Sequence, residues 1–112
     1  MKILENVGMS KRDIVKAGVA TSTIQEFNDE CMTLTGVLIG AKDDTENGGT
    51  LEVVCLKTSE DVFISSISAT VKDSVTTIME AFTEEEFKAG IPIVIRSKKS
   101  KADRTFYYVD LE

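Results

Sequence analysis

From Met32 to Leu111 the apolar residues change period twice, from two to about 3.6 and back to two, and that switch limits the order of elements the chain can adopt. Met32, Leu34, Gly36 and Leu38 alternate with Thr33, Thr35, Val37 and Ile39, a β-branched stretch apolar on both faces that reads as a covered strand. Gly36 and Gly40 mark sharp coiling or a bulge within it. The polar run from Asp43 to Gly49 is a loop, with Asn47 and Gly48 supplying the positive φ of a tight turn. Leu51, Val53 and Cys55 then share one face of a second strand, and Glu52, Val54 and Leu56 share the other. A turn at Ser59, Glu60 and Asp61 leads into a third strand from Val62 to Ile67.

Ser68 caps a helix of roughly residues 68–82, whose Val71, Val75, Ile78, Met79 and Phe82 fall on one stripe. Thr83 and Glu86 form a capping box for a further turn, and the acids at Glu84, Glu85 and Glu86 suit a helix N-terminus rather than a metal site. Gly90 ends it before Ile91, Ile93 and Ile95 alternate on a fourth strand. In the fifth strand Tyr107, Val109 and Leu111 share one face, Phe106, Tyr108 and Asp110 the other; periodicity leaves open which is exposed.

The first thirty residues read as a helical arm. Ser10 and Asp13 cap a helix carrying Ile14, Val15 and Val19, which Gly18 ends, and Thr21, Ser22, Thr23, Ile24 and Gln25 open a second with Ser22 as its cap. These helices offer either a pairing surface for a homodimer or, through Ile14, Val15, Ile24 and Phe27, a cover for the chain's own sheet.

The chain's charge is distributed unevenly. Thirteen basic and nineteen acidic residues leave a net charge of −6, yet Arg96, Lys98, Lys99, Lys101 and Arg104 crowd together just before Phe106, Tyr107 and Tyr108. Dense like charges repel unless solvent or a polyanion screens them, and adjacent aromatics give bases a surface on which to stack. The alternative is a solvated lysine-rich hairpin that protects a sheet edge from aggregation. An acidic molecule meets a polyanion only locally, so binding is expected to be salt-sensitive.

With 112 residues, 42% hydrophobic and 29% charged, the chain has the composition of one soluble domain. The absence of a long apolar run and of a signal-peptide layout gives a cytoplasmic expectation, with no membrane partner. Cys31 and Cys55 have no metal-ligand spacing, and the chain has no histidine. They are expected to be buried, reduced thiols on neighbouring strands, and neither metal nor cofactor is expected. No nucleophile lies beside a base and no glycine-rich loop opens a helix, so an enzyme is the weakest class.

Strand, strand, strand, helix, strand, strand is the order of the five-stranded OB-type barrel, so the expected architecture is mainly β with α, residues 31–112 forming the barrel and residues 1–30 an N-terminal helical extension. That fold binds oligonucleotides across strands two and three and the loops joining strands one to two and four to five, and the basic segment falls in the last of these.

The stretch Ser100-Lys101-Ala102-Asp103-Arg104-Thr105-Phe106-Tyr107-Tyr108 resembles the last hairpin of the small single-stranded DNA-binding proteins encoded by phages and plasmids, with Asp103 at a glycine position. The resemblance extends to the helical N-terminal extension, including Lys11-Arg12-Asp13-Ile14. It implies a non-catalytic protein of phage or plasmid DNA replication or recombination, with single-stranded DNA as ligand and replication or recombination proteins as further partners. Arg96, Lys98, Lys99, Lys101 and Arg104 would meet phosphates, and Phe63, Phe106 or Tyr108 would stack on bases. The competing class is an acidic protein-interaction module: a replication accessory, an assembly factor or an inhibitor of a host DNA-binding enzyme. A continuous positive patch holding an aromatic favours the first, and an exposed apolar patch on the N-terminal arm favours the second.

Overall fold

The computed structural model describes residues 2–20 and 22–112. Strands β3 (Cys31–Asp43), β4 (Thr50–Thr58) and β5 (Phe63–Ser66) form an antiparallel meander. Helices α2 (Ala69–Ala81) and α3 (Glu84–Ala89) follow, and β6 (Ile91–Lys99) and β7 (Thr105–Leu111) close the chain as a hairpin. Ser68 accepts from the Val71 amide, Thr83 and Glu86 make the expected reciprocal cap, and Gly90 takes φ +99.

The first thirty residues depart from a purely helical arm. Lys2–Val7 is a strand, β1, antiparallel to residues Val37–Ala41 of β3. Helix α1 (Lys11–Gly18) follows with Ser10 and Asp13 as its reciprocal cap. Ser22–Thr23 form β2, parallel to β5, and run into a 3₁₀ turn at Ile24–Phe27. The cap of that turn is Thr23 with Glu26, one residue later than the Ser22 and Gln25 pair that the pattern suggests; Thr21 lies outside the described residues.

Among the described residues the sheet therefore has seven strands, in the order β2-β5-β4-β3-β6-β7 with β1 beside the far half of β3. It curls 224° round and stays open, its edges 11 Å apart, so the expectation of a five-stranded OB-type barrel is overturned. The element order from β3 to β7 is as the periods suggest; the closure is not. In a closed barrel of that order β5 would pair with β7, but β2 occupies the outer edge of β5, while Ser74 of α2 takes the Val109 N–H of β7 at 3.0 Å.

Burial explains the register. Val37, Ile39, Val54, Leu56, Ile64, Ile93, Ile95 and Val109 line the concave face and close on Val71, Val75 and Ile78 of α2 and on Phe87 of α3. A register shift between Leu34 and Gly36 lets Leu34 and Val37, of opposite parity, both reach this core. Ile24 is buried in the core and Phe27 packs against it. On the other face α1 covers a smaller cluster of Met9, Leu38 and Cys55, with Ile14, Ala17 and Phe63 packed around it. Cys55 is buried there, as expected, and burial pushes its thiol up to about 11. Cys31 is exposed, contrary to expectation, because the first residue of β3 projects past that cover. Among the described residues no helix is long and apolar enough to cross a membrane.

Candidate nucleic-acid interface

Hairpin register decides which of the basic and aromatic side chains meet. Residues directly opposite in an antiparallel pair project to the same face. Arg96 stands opposite Tyr108 and Lys98 opposite Phe106, while Ile95 opposite Val109 and Ser97 opposite Tyr107 alternate with them. Val109 is buried and Tyr107 packs against the core. The second set thus faces inward, and Arg96, Lys98, Phe106 and Tyr108 lie together on the outer face. The parity question that periodicity left open is settled by Val109.

Within this outer group the Lys98 ammonium sits 5.0 Å from the centre of the Tyr108 ring, within cation–π range. Phe106 and Tyr108 are both half-buried. Arg96 donates from Nε to the Asp110 carboxylate at 3.1 Å, with both side chains about half exposed. That ion pair is a solvent-screened surface contact of small value, and it competes with any phosphate for the guanidinium.

The hairpin tip is built by the chain itself. Ser100 donates its N–H to the Arg104 carbonyl at 2.9 Å, and Asp103 donates its N–H to the Ser100 carbonyl at 2.9 Å. The Ser100 hydroxyl accepts from the Arg104 amide. Asp103 adopts φ +61, a left-handed conformation natural to glycine and tolerated by Asp. An acid at this glycine-type position carries a cost in charge, since its carboxylate lies 3.4 Å from the Lys99 ammonium. Lys98, Lys101 and Arg104 make no ion pair among the described residues.

Phe63 stands apart. It lies on β5 opposite Lys57, under α1 in the smaller apolar cluster, with the Lys16 ammonium 5.9 Å from its ring centre. Three strands, β4, β3 and β6, separate β5 from β7 in the sheet. The structure therefore groups Arg96, Lys98, Phe106 and Tyr108, adds Lys99, Lys101 and Arg104 at the tip, and leaves Phe63 elsewhere. Two features escaped sequence reasoning, the acid Asp110 beside Arg96 and the open seam behind β7. Asp110 was legible in part, being in phase with Tyr108, whereas the seam depends on long-range pairing that carries no local signal. Among the described residues no group of three or more histidine, cysteine, aspartate or glutamate side chains is placed to hold a metal ion. Compared with known proteins, the chain matches no family model, no curated sequence and no solved structure.

Proposed function

We propose that the chain is a non-catalytic single-stranded DNA-binding protein, acting in phage or plasmid DNA replication or recombination. The observation that carries the reading is the cross-strand register, Arg96 with Tyr108 and Lys98 with Phe106, which sets two cations and two rings on one outer face. Rings two residues apart on a strand are separated by about 6.5 Å, a span that successive unstacked bases can follow. Lys98, Lys101 and Arg104 contribute the phosphate contacts, and Arg96 and Lys99 join them only by giving up Asp110 and Asp103. Affinity is modest because the molecule as a whole is acidic. The resemblance of Ser100–Tyr108 to phage and plasmid single-strand binders supports the same reading.

Anisotropy titrations of a labelled oligothymidylate and of a duplex of equal length test it. The single strand is expected to bind more tightly, and Phe106→Ala or Tyr108→Ala to weaken it by about 1–3 kcal/mol each. Equal binding of duplex and single strand, or rings whose loss changes nothing, refutes stacking on this face.

One observation favours the second reading, an acidic interaction module. Val15 on α1 and Val19 at its C-cap are 70% and 75% exposed, four residues apart. If that pair is the functional surface, Val15→Ser with Val19→Ser abolishes partner binding and the hairpin variants do not.

A further inference from the structure

We infer that the open seam of the sheet accepts one extended peptide strand from a partner protein, paired to the free edge of β7 and acidic at its C-terminal end. The width of the seam is the first argument. Neighbouring strands lie about 4.7–4.9 Å apart, so two strands flanking a third stand about 9.5 Å apart. The edges here are 11 Å apart, room for one strand and too little for two. A groove of about 330 Å³ follows the gap, with Thr23, Ile24 and Ser66 on one wall and Thr105 and Tyr107 on the other.

Backbone chemistry supplies the second argument. Ile95 of β6 accepts from the Asp29 N–H and donates to the Glu30 carbonyl, so its polar groups point away from β7. Its partner Val109 therefore directs its own to the free edge, and the alternation of the ladder gives Tyr107 and Thr105 the same direction. Val109 donates to Ser74 and Leu111 donates to the Asp110 carboxylate, which blunts the far half of the edge. For the N–H and C=O of Tyr107 and Thr105 there is no such partner among the described residues. Unpaired edge groups of this kind are a template for another strand. On the opposite wall the Thr23 N–H is taken by Glu26, so pairing rests on β7 and the β2 side supplies packing.

Charge and polarity define the occupant. Among the described residues only the β2–β5 pair is parallel, so β2 and β7 run in the same direction. A strand antiparallel to β7 has the better hydrogen-bond geometry, and it ends beside Thr105, next to Lys101 and Arg104. Acidic C-terminal residues complement these cations. Hydroxyl-bearing Thr23, Ser65 and Ser66 on the wall suit small or β-branched side chains and impose little sequence preference. The seam shares Phe106, Lys101 and Arg104 with the proposed DNA face, but the edge groups of Thr105 and Tyr107 that pair the strand are no part of that face, so peptide pairing stands whether or not DNA binds.

The test uses two pools of peptides of seven residues, the length of β7, alternating Thr with Val or Ile, one pool ending and the other beginning in Asp-Asp. Titrated into the ¹⁵N-labelled full chain, the C-terminally acidic pool is expected to bind more tightly and to slow amide exchange at Thr105 and Tyr107 by about tenfold or more. Thr105→Pro, which removes an edge donor without touching the β6 ladder, is expected to abolish binding at an unchanged melting temperature. Should that variant fail to fold, alternate N-methylation of the peptides makes the same cut on the unaltered protein, with loss of binding expected. Neither pool binding at millimolar concentration overturns the proposal, as does binding that leaves both amides unprotected or survives N-methylation. A dimer of the chain alone that Thr105→Pro dissociates would assign the seam to a second copy and overturn the partner.

Discussion

Gly8 takes φ +71, and a Cβ added there would lie 2.2 Å from the Thr35 carbonyl oxygen, while a Cβ at Gly36 would lie 3.0 Å from Met9 Cγ. The corner between β1 and α1 thus presses directly onto the β3 bulge, backbone against backbone. Gly8→Ala is expected to destabilise the fold by about 2–4 kcal/mol, from the strained φ and the clash together. Gly18, with nothing within 4 Å of its added Cβ, should accept Ala neutrally or with a gain of up to about 1 kcal/mol. Urea unfolding of the two variants checks both, and equal stabilities would show that the corner does not hold the sheet. The cysteines differ in the same local way. Cys31 is expected to react with iodoacetamide in the native protein and Cys55 only after unfolding, because Cys55 is both shielded and held protonated by burial. Two thiols labelled at the same rate under native conditions contradict that. Replacing both by Ala should leave oligonucleotide binding intact. In the sequence Cys55 lies among apolar strand residues while Cys31 follows Asn28, Asp29 and Glu30 at the start of its strand, and in the fold α1 covers the first and does not reach the second.

Helix α1 is held to the sheet by charge as well as by Ile14 and Ala17. The Asp13 side chain is buried, accepts from the Ser10 N–H at 3.0 Å and receives the Lys57 ammonium at 2.8 Å. Burial alone would raise its pKa, but the Lys57 and Ser10 hydrogen bonds outweigh that and hold it below 3.8. Lys16 and Arg12 converge on Asp61 and lower it too, and the same Arg12 guanidinium reaches the Asp13 carboxylate at 3.5 Å. A carboxylate depressed in the folded state contributes stability above its ordinary pKa and loses it as pH falls through the depressed value. Docking of α1 is therefore expected to be full at neutral pH and to weaken below about pH 4. Amide exchange of α1 against pH follows this directly. Asp13→Asn should flatten the response, and an α1 whose protection does not change between pH 6 and 3 would show that the apolar contacts alone suffice. Sequence made this helix legible, since Ser10 and Asp13 announce its start, as Ser68 and Thr83 announce the later ones. It did not make β1 legible, because Lys2 to Asn6 are exposed on both faces and the strand is held by backbone pairing to β3 rather than by an alternating apolar set.

At the scale of the molecule, closure is decided by edges. Strand existence from β3 onward follows from side-chain period, but whether β5 meets β7 depends on two residues, Ser22 and Thr23, that pair with β5 and carry almost no strand signal. The hairpin survives that difference, because its register needs only β6, β7 and the Ser100–Arg104 turn. Its charge nevertheless reads differently once folded. Of the five clustered cations, Arg96 and Lys99 face Asp110 and Asp103, and Lys98, Lys101 and Arg104 do not have such partners among the described residues. Each phosphate contact on a single strand adds about 0.7 to the slope of log affinity against log salt, so three contacts predict a slope near −2 and five a slope near −3.5. The slope near −2 is expected here. Changing Lys98, Lys101 and Arg104 to Ala should bring it close to zero with little effect on melting temperature, since these side chains are exposed. Asp110→Asn should instead steepen it by about 0.7, by freeing the Arg96 guanidinium for a phosphate. Stacking releases no counterions, so Phe106→Ala should weaken binding at an unaltered slope. Anisotropy titrations across a salt series separate these outcomes. A slope that the triple variant leaves untouched would place the polyanion contact somewhere other than this hairpin, and a slope that Asp110→Asn leaves untouched would mean that Arg96 takes no part in it.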